Sequence, residues 1–155
     1  ENGEIIQTSD DVKNGLKKWF EEDGAAAAGD VITYINYKGD ILSFSVDVYI
    51  NPLVLMSDGR HKINLNYPVE DSIKTYLKNL PFNGEFDVQK FEAAILATEG
   101  VLKLKTNKVE SKWIVPQGGD ADGYGLFQPI SVYKIPESGY FKVEDFKPLI
   151  IYKNL

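Results

Sequence analysis

The residues whose types could do chemistry are few and poorly placed for it. His61 is the sole histidine, beside Arg60 in a polar turn region. A general base needs a nucleophile within reach, and a metal site needs further ligands. No Ser or Cys motif and no second histidine accompanies it, so a solvated loop side chain is expected. Asp120-Ala121-Asp122-Gly123-Tyr124 begins like a calcium loop, because alternate carboxylates and a glycine wrap oxygen ligands around a hard cation. Counted from Asp120, however, the twelfth position is Ser131 where a bidentate Glu is required, and no helix is expected on either side. Gly118-Gly119 and Gly123-x-Gly125 lack the Gly-Lys-Ser/Thr and the strand-to-helix context of a phosphate cradle. The expectation for this stretch is a mobile, solvent-facing loop.

Other carboxylates are dispersed. Asp10, Asp11, Glu70, Asp71 and Asp87 fall where helix N-termini are expected and favour negative charge there. An acid and base pair is therefore weakly indicated. Trp113, Tyr124 and Phe127 flank the glycine-rich loop and, with Asp120 and Asp122, form the candidate interaction surface, a platform for sugar or peptide. Burial in a sheet is the commoner fate of such rings. No catalytic, cofactor-binding or metal-ligating residue is assigned, and no cofactor is expected.

The elements that must position these residues follow from periodicity and capping. Thr8, Ser9 and Asp10 offer N-cap oxygens to a first helix whose Val12, Leu16, Trp19 and Phe20 recur at helical spacing, predicting an apolar face packed inward. Glu21 to Gly24 ends it. Val31 to Tyr37 reads as a strand, and Lys38-Gly39-Asp40 as a tight turn into the strand Ile41 to Ile50. There Leu42, Phe44, Val46, Val48 and Ile50 make one wholly apolar face. Ser57 to Arg60 is a turn. Pro68, Glu70 and Asp71 open a second helix with Val69, Ile73, Tyr76 and Leu77 inward, stopped by Asn79 and Pro81. Asp87 caps a third, with Phe86 and Phe91 closing a hydrophobic staple, Val88, Phe91, Ile95 and Leu96 inward, and Gly100 as the left-handed stop. Val101 to Thr106 and Val109 to Val115 read as two strands in a hairpin about Asn107. Short strands follow at Ile130 to Ile135, Tyr140 to Val143 and Leu149 to Tyr152, with a turn at Pro136 to Gly139.

The fold class expected is α+β: a mixed or antiparallel sheet with two consecutive helices on one face, an N-terminal helix and short C-terminal strands. Three segments are expected within one domain: 1–29 (helix and linker), 30–115 (α+β core) and 116–155 (glycine-rich loop and C-terminal strands).

With 155 residues, 43% of them hydrophobic and 26% charged, the chain is long enough to bury a core and too apolar for wholesale disorder. A net charge of −6 disfavours gripping nucleic acid phosphates. Lys103, Lys105 and Lys108 are expected to line a solvated face or guard a sheet edge. The absence of cysteine excludes disulfides, thiolate metal sites and cysteine nucleophiles together. The longest apolar runs fall short of the ~20 residues that cross a bilayer, so no membrane insertion is expected. The acidic start Glu1-Asn2-Gly3-Glu4 shows no signal peptide and no initiating Met, which leaves room for further residues before it.

In order and spacing, several short motifs carry a resemblance. They are Ile41 to Ile50 followed by Asn51-Pro52-Leu53-Val54-Leu55 and Asp58-Gly59, Tyr67-Pro68 through Leu77, Leu80-Pro81-Phe82-Asn83-Gly84-Glu85-Phe86, Ala94-Ile95, Glu99-Gly100-Val101 and Pro136-Glu137-Ser138-Gly139-Tyr140-Phe141. Together, over about 30–152, they resemble the C-terminal part of phage baseplate J-like proteins, as carried in prophages of Bacteroides-type bacteria. The resemblance implies a structural, non-enzymatic subunit of a tail baseplate or related injection machine, assembled in the bacterial cytoplasm and resident in the virion. Its partners would be other baseplate or tail subunits or further copies of itself. The resemblance implies a longer N-terminal portion in a full baseplate protein than these 155 residues hold. The alternative drawn from the residues is a carbohydrate- or peptide-binding accessory domain using loop 117–127.

Overall fold

The computed structural model describes residues 8–21 and 37–154. The first helix, α1, runs Asp10–Glu21, with the Ser9 hydroxyl accepting the Val12 amide at 3.5 Å. Its expected inward face is not buried. Val12 and Trp19 are each 53% exposed, and Leu16 is also exposed. Helical spacing showed that the apolar residues share a face, but not that anything covers it. The linker after Glu21 and the strand expected at Val31 to Tyr37 lie outside the described residues, apart from Tyr37, which belongs to no strand.

Strand β1 (Asp40–Ile50) is the centre of the molecule. Leu42, Phe44, Val46, Val48 and Ile50 are all essentially inaccessible, so the alternation specifies one core face as expected. Three other strands flank β1: β3 (Val101–Lys112), β6 (Phe141–Lys142) and β7 (Ile150–Asn154). β3 lies antiparallel on one side; β6 and β7 lie parallel on the other, at opposite ends of β1. The two-residue β4 (Gln128–Pro129) extends the far end of β3. The sheet is therefore mixed.

The hairpin expected about Asn107 is instead one continuous strand, β3, with a β-bulge. Ser45 pairs with Lys108 and Val46 with Thr106, leaving Asn107 as the extra residue; a second irregularity falls at Leu102. Each bulge shifts the phase of the side chains by one. From Val101 to Val109 the less exposed positions of β3 are accordingly Val101, Leu104, Thr106 and Val109, a spacing of three, two and three, and Ser111 is buried beyond them. Asn107 bends no chain back on itself. Its amide donates to Asp47 Oδ1 at 3.2 Å, and β3 ends at Lys112, short of Val115.

Helices α2 (Pro68–Asn79) and α3 (Val88–Leu96) cover the apolar face of β1. Pro68 stands in the first turn of α2, and Asp87 caps α3 by accepting the amides of Gln89 and Lys90 at 2.8 and 3.1 Å. Val69, Ile73, Phe91 and Ile95 are fully buried, whereas Leu96 points outward. Phe91 is the hub: its ring centroid lies 5.1 Å from that of Phe44 and 5.4 Å from that of Phe86. Such tilted aromatic pairs contribute roughly 0.5–1.5 kcal/mol each beyond the area they bury. The Phe86–Phe91 contact is the expected staple. α3 ends before Gly100, which stands in the turn just ahead of β3 with φ +85 and whose carbonyl accepts the Asn51 amide at 2.8 Å.

The C-terminal segment completes this core. Ile130 and Ile150 belong to it, and β5 (Tyr133–Lys134) pairs with β2 (Phe86–Asp87) in a separate two-stranded ribbon beside α3.

Candidate functional site

The five residues of the candidate interaction surface lie on or beside a hairpin that leaves the end of β3. Ile114 and Tyr124 bridge across it. Asp120 organises the turn: its Oδ1 accepts the amides of Asp122 and Tyr124 at 3.0 and 2.9 Å, and its Oδ2 takes the Lys112 ammonium at 3.1 Å. The Tyr124 amide and then the Lys112 ammonium hold its carboxyl below the usual carboxylate range. A hard cation would have to displace Lys112 from oxygens already in use, so the donor set fits an ammonium rather than calcium. Asp122 pairs with Lys38 at 3.2 Å on the surface. The stretch holds a hydrogen-bonded turn about Asp120, and its residues 116–122 are exposed, as expected of a solvent-facing loop.

The aromatic members are separated by the fold. Tyr124 is only 7% exposed and its hydroxyl donates to the Gly39 carbonyl at 3.0 Å, tying the hairpin to the residue before β1. Its ring is structural and offers no platform. Phe127 is 39% exposed, with the Lys112 ammonium 5.2 Å from its centroid and 5.0 Å from that of Tyr124. Trp113 is half-buried, and the Lys134 ammonium stands 4.3 Å from its ring. Lysines thus already occupy ring faces that a sugar would need.

His61 is not the solvated side chain expected. It is 6% exposed, and Nδ1 accepts the amides of Ile63 and Asn64, both at 3.2 Å. With Nδ1 accepting, the ring proton belongs on Nε2. That atom has no hydrogen-bond partner among the described residues and lies 3.8 Å from the exposed Glu99 carboxylate. The arrangement folds the Arg60 to Asn66 loop around the imidazole. Sequence could not show it, because the acceptor role depends on the backbone path after His61.

Among the described residues no group of three or more His, Cys, Asp or Glu side chains is placed to hold a metal ion, and no helix is long and apolar enough to cross a membrane.

The outer face of the sheet is polar and basic. Tyr49 pairs with Lys103, Asp47 with Lys105 and Ser45 with Lys108 across β1 and β3, and Tyr49 with Lys153 across β7. The Lys153 ammonium donates to Asp47 Oδ2 at 2.6 Å. Lys103, Lys105 and Lys108 are exposed, as expected of a solvated face.

Residue reasoning missed two features. One is Asp40, with no measurable exposure, whose carboxylate accepts the amides of Glu137 and Ser138 at 2.8 and 3.0 Å. The other is a cleft of about 180 Å³ between the C-terminal end of α2, the Leu80 to Gly84 turn and β6. Lys74 and Lys78, spaced one turn apart on the second helix, were its visible signal. The third wall, at Lys142, is brought there only by the parallel pairing of β6 with β1.

The chain matches no family model, no curated protein and no solved structure.

Proposed function

We propose that this chain is a structural module of a phage or prophage tail baseplate, binding neighbouring subunits by surface complementarity in the virion. The order and spacing of the short motifs support this reading, and one observation carries it furthest. Two of those motifs, far apart in sequence, dock on each other: the Asn83 amide donates to the Gly139 carbonyl at 2.8 Å, and Gly139 packs against the Phe82 ring. A Cβ at Gly139, where φ is +93, would collide with that ring. The motif residues Pro81 to Gly84 and Pro136 to Gly139 thus serve as a framework joint, in keeping with a part built to hold shape under load.

Particles purified on a density gradient from an induced culture of the bacterium carrying the gene test the reading. Mass spectrometry should find peptides of this chain co-sedimenting with intact tails. Their confinement to the unassembled fraction would contradict it.

The alternative, a sugar- or peptide-binding accessory domain built on loop 117–127, draws less support, since Tyr124 lies inside and a lysine ammonium stands over each of the Trp113 and Phe127 rings. Saturable signal on a glycan array, abolished by Phe127→Ala, would favour it instead.

A further inference from the structure

We propose that Asn83 is a modification site gated by the joint between the Pro81 to Gly84 turn and Gly139: it deamidates when the joint opens, and the product then keeps the joint from closing. The dipeptide Asn-Gly occurs at 2–3, 14–15 and 83–84. The first lies outside the described residues, the second is exposed within α1, and the third is built into a packed turn. That turn calls for both residues. Asn83 has φ +58, in the left-handed region that asparagine tolerates better than most side chains. Gly84 is buried, and a Cβ there would stand 2.6 Å from the Pro81 carbonyl oxygen. The same pair is open to intramolecular attack, because no side chain on the glycine hinders its nitrogen.

In the reaction, solvent hydroxide takes the Gly84 amide proton and the nitrogen bonds to Cγ of Asn83. The Cγ–Nδ2 bond breaks, and the leaving nitrogen takes a proton from water and departs as ammonia. Water then opens the five-membered imide. Opening at the side-chain carbonyl leaves aspartate; opening at the main-chain carbonyl leaves isoaspartate, whose main chain is longer by one methylene.

The fold withholds the nucleophile. Asn83 is exposed, but the Gly84 amide is tied to the Pro81 carbonyl at 2.7 Å in a buried position, and the Asn83 amide is held on the Gly139 carbonyl at 2.8 Å. The Gly84 proton is lost only from turns in which the first bond has opened, so the rate follows the population of the open joint. The Phe82 ring, packed on Gly139, helps keep that population small. A turn without room for one Cβ at Gly84 has none for an added methylene, so isoaspartate makes an opening permanent. The inference is independent of the baseplate reading.

The test is peptide mapping by mass spectrometry, with enzymatic detection of isoaspartate, on the whole chain held for days in mildly alkaline buffer with and without guanidinium chloride. Asn83 should convert roughly tenfold or more slowly in the native chain than in denaturant. Phe82→Ala, at a side chain that is 62% exposed, should speed conversion at Asn83 by roughly threefold or more while leaving Asn14 unchanged. Phe82→Leu, the milder change, should fall between. The isoaspartate form, separated by chromatography, should melt below the unmodified chain. Equal rates at Asn83 with and without denaturant would overturn the gate. So would a rate at Asn83 that ignores both Phe82 variants or rises only in step with Asn14, since the latter means global unfolding. A modified chain that melts with the unmodified one would overturn the claim that the product holds the joint open.

Discussion

Asp40 and Ser138 exchange hydrogen bonds in both directions. The Ser138 hydroxyl accepts the Asp40 amide at 2.9 Å, and the Asp40 carboxylate accepts the Ser138 amide at 3.0 Å. The second carboxylate oxygen accepts the Glu137 amide, and the Ser138 hydroxyl in turn donates to the Tyr140 carbonyl at 3.0 Å. The first residue of the central strand is thereby locked to the turn that launches β6. Burial and full hydrogen bonding together make this clasp costly to break.

Asp40→Ala would leave the Glu137 and Ser138 amides without their acceptor in a site closed to water. A loss of roughly 2–5 kcal/mol is expected, read as a fall in the urea midpoint with an unchanged slope. Asp40→Asn keeps one acceptor oxygen and should cost less.

The two carboxylates of β1 should respond to pH in opposite senses. Burial pushes the Asp40 carboxyl above its ordinary 3.8, against the pull of the Ser138 and Glu137 hydrogen bonds. Between those two values the folded state holds a proton that the unfolded chain has released. The stabilisation from Asp40 is therefore fullest below 3.8 and declines as pH rises through the folded value. Asp47 is held below 3.8, first by the Lys153 ammonium and then by Asn107. Its contribution is present above 3.8 and is lost as pH falls through the folded value. The stability gap between the native chain and Asp40→Asn should narrow on going from about pH 3.5 to pH 7. The gap for Asp47→Asn should widen. Urea titrations at the two pH values check both.

Gly59 and Gly118 both have positive φ, +84 and +78, but different surroundings. A Cβ at Gly59 would run into the Tyr152 ring, whereas Gly118 stands in open space. Gly59→Ala should cost about 2–4 kcal/mol through strain and overpacking combined. Gly118→Ala should cost about 1–2 kcal/mol from backbone strain alone. Equal thermal midpoints for the two variants would show that the contact between the Ser57 to Arg60 turn and β7 is not tight.

Asn107 can be excised. Removing it would join Thr106 to Lys108 in a regular ladder, with Thr106 still opposite Val46 and Lys108 still opposite Ser45. The core and solvent faces of both halves of β3 would be kept. The expected cost is about 1.5–3 kcal/mol, mainly the lost bond to the Asp47 carboxylate, with the native amide NMR pattern retained away from the site. Collapse of that pattern would mean that the bulge sets a curvature the sheet requires.

The helices α2 and α3, their caps and the inward face of β1 were legible in sequence because each rests on local signals: Pro68 at a helix start, Asp87 with Phe86 and Phe91 around a cap, and strict alternation from Leu42 to Ile50. β3 was misread because a phase slip in the alternation at Asn107 looks the same whether the chain turns back or bulges. The exposure of α1 was misread because a stripe at helical spacing does not say what covers it. Tyr124, His61 and Asp40 owe their burial to contacts with Gly39, with the backbone after His61 and with Ser138. The Tyr124 and Asp40 partners are remote in the chain, and the His61 contacts depend on the path of the loop. The residues of the candidate surface lie around one hairpin, but its central ring, Tyr124, is internal.

The position of this chain in an assembled particle tests the account most directly. Immunogold electron microscopy of purified particles, with an antibody raised against the chain, should place label at the tail end that carries the baseplate. Label on the capsid, or none on intact particles alongside a strong signal from free protein, would contradict it.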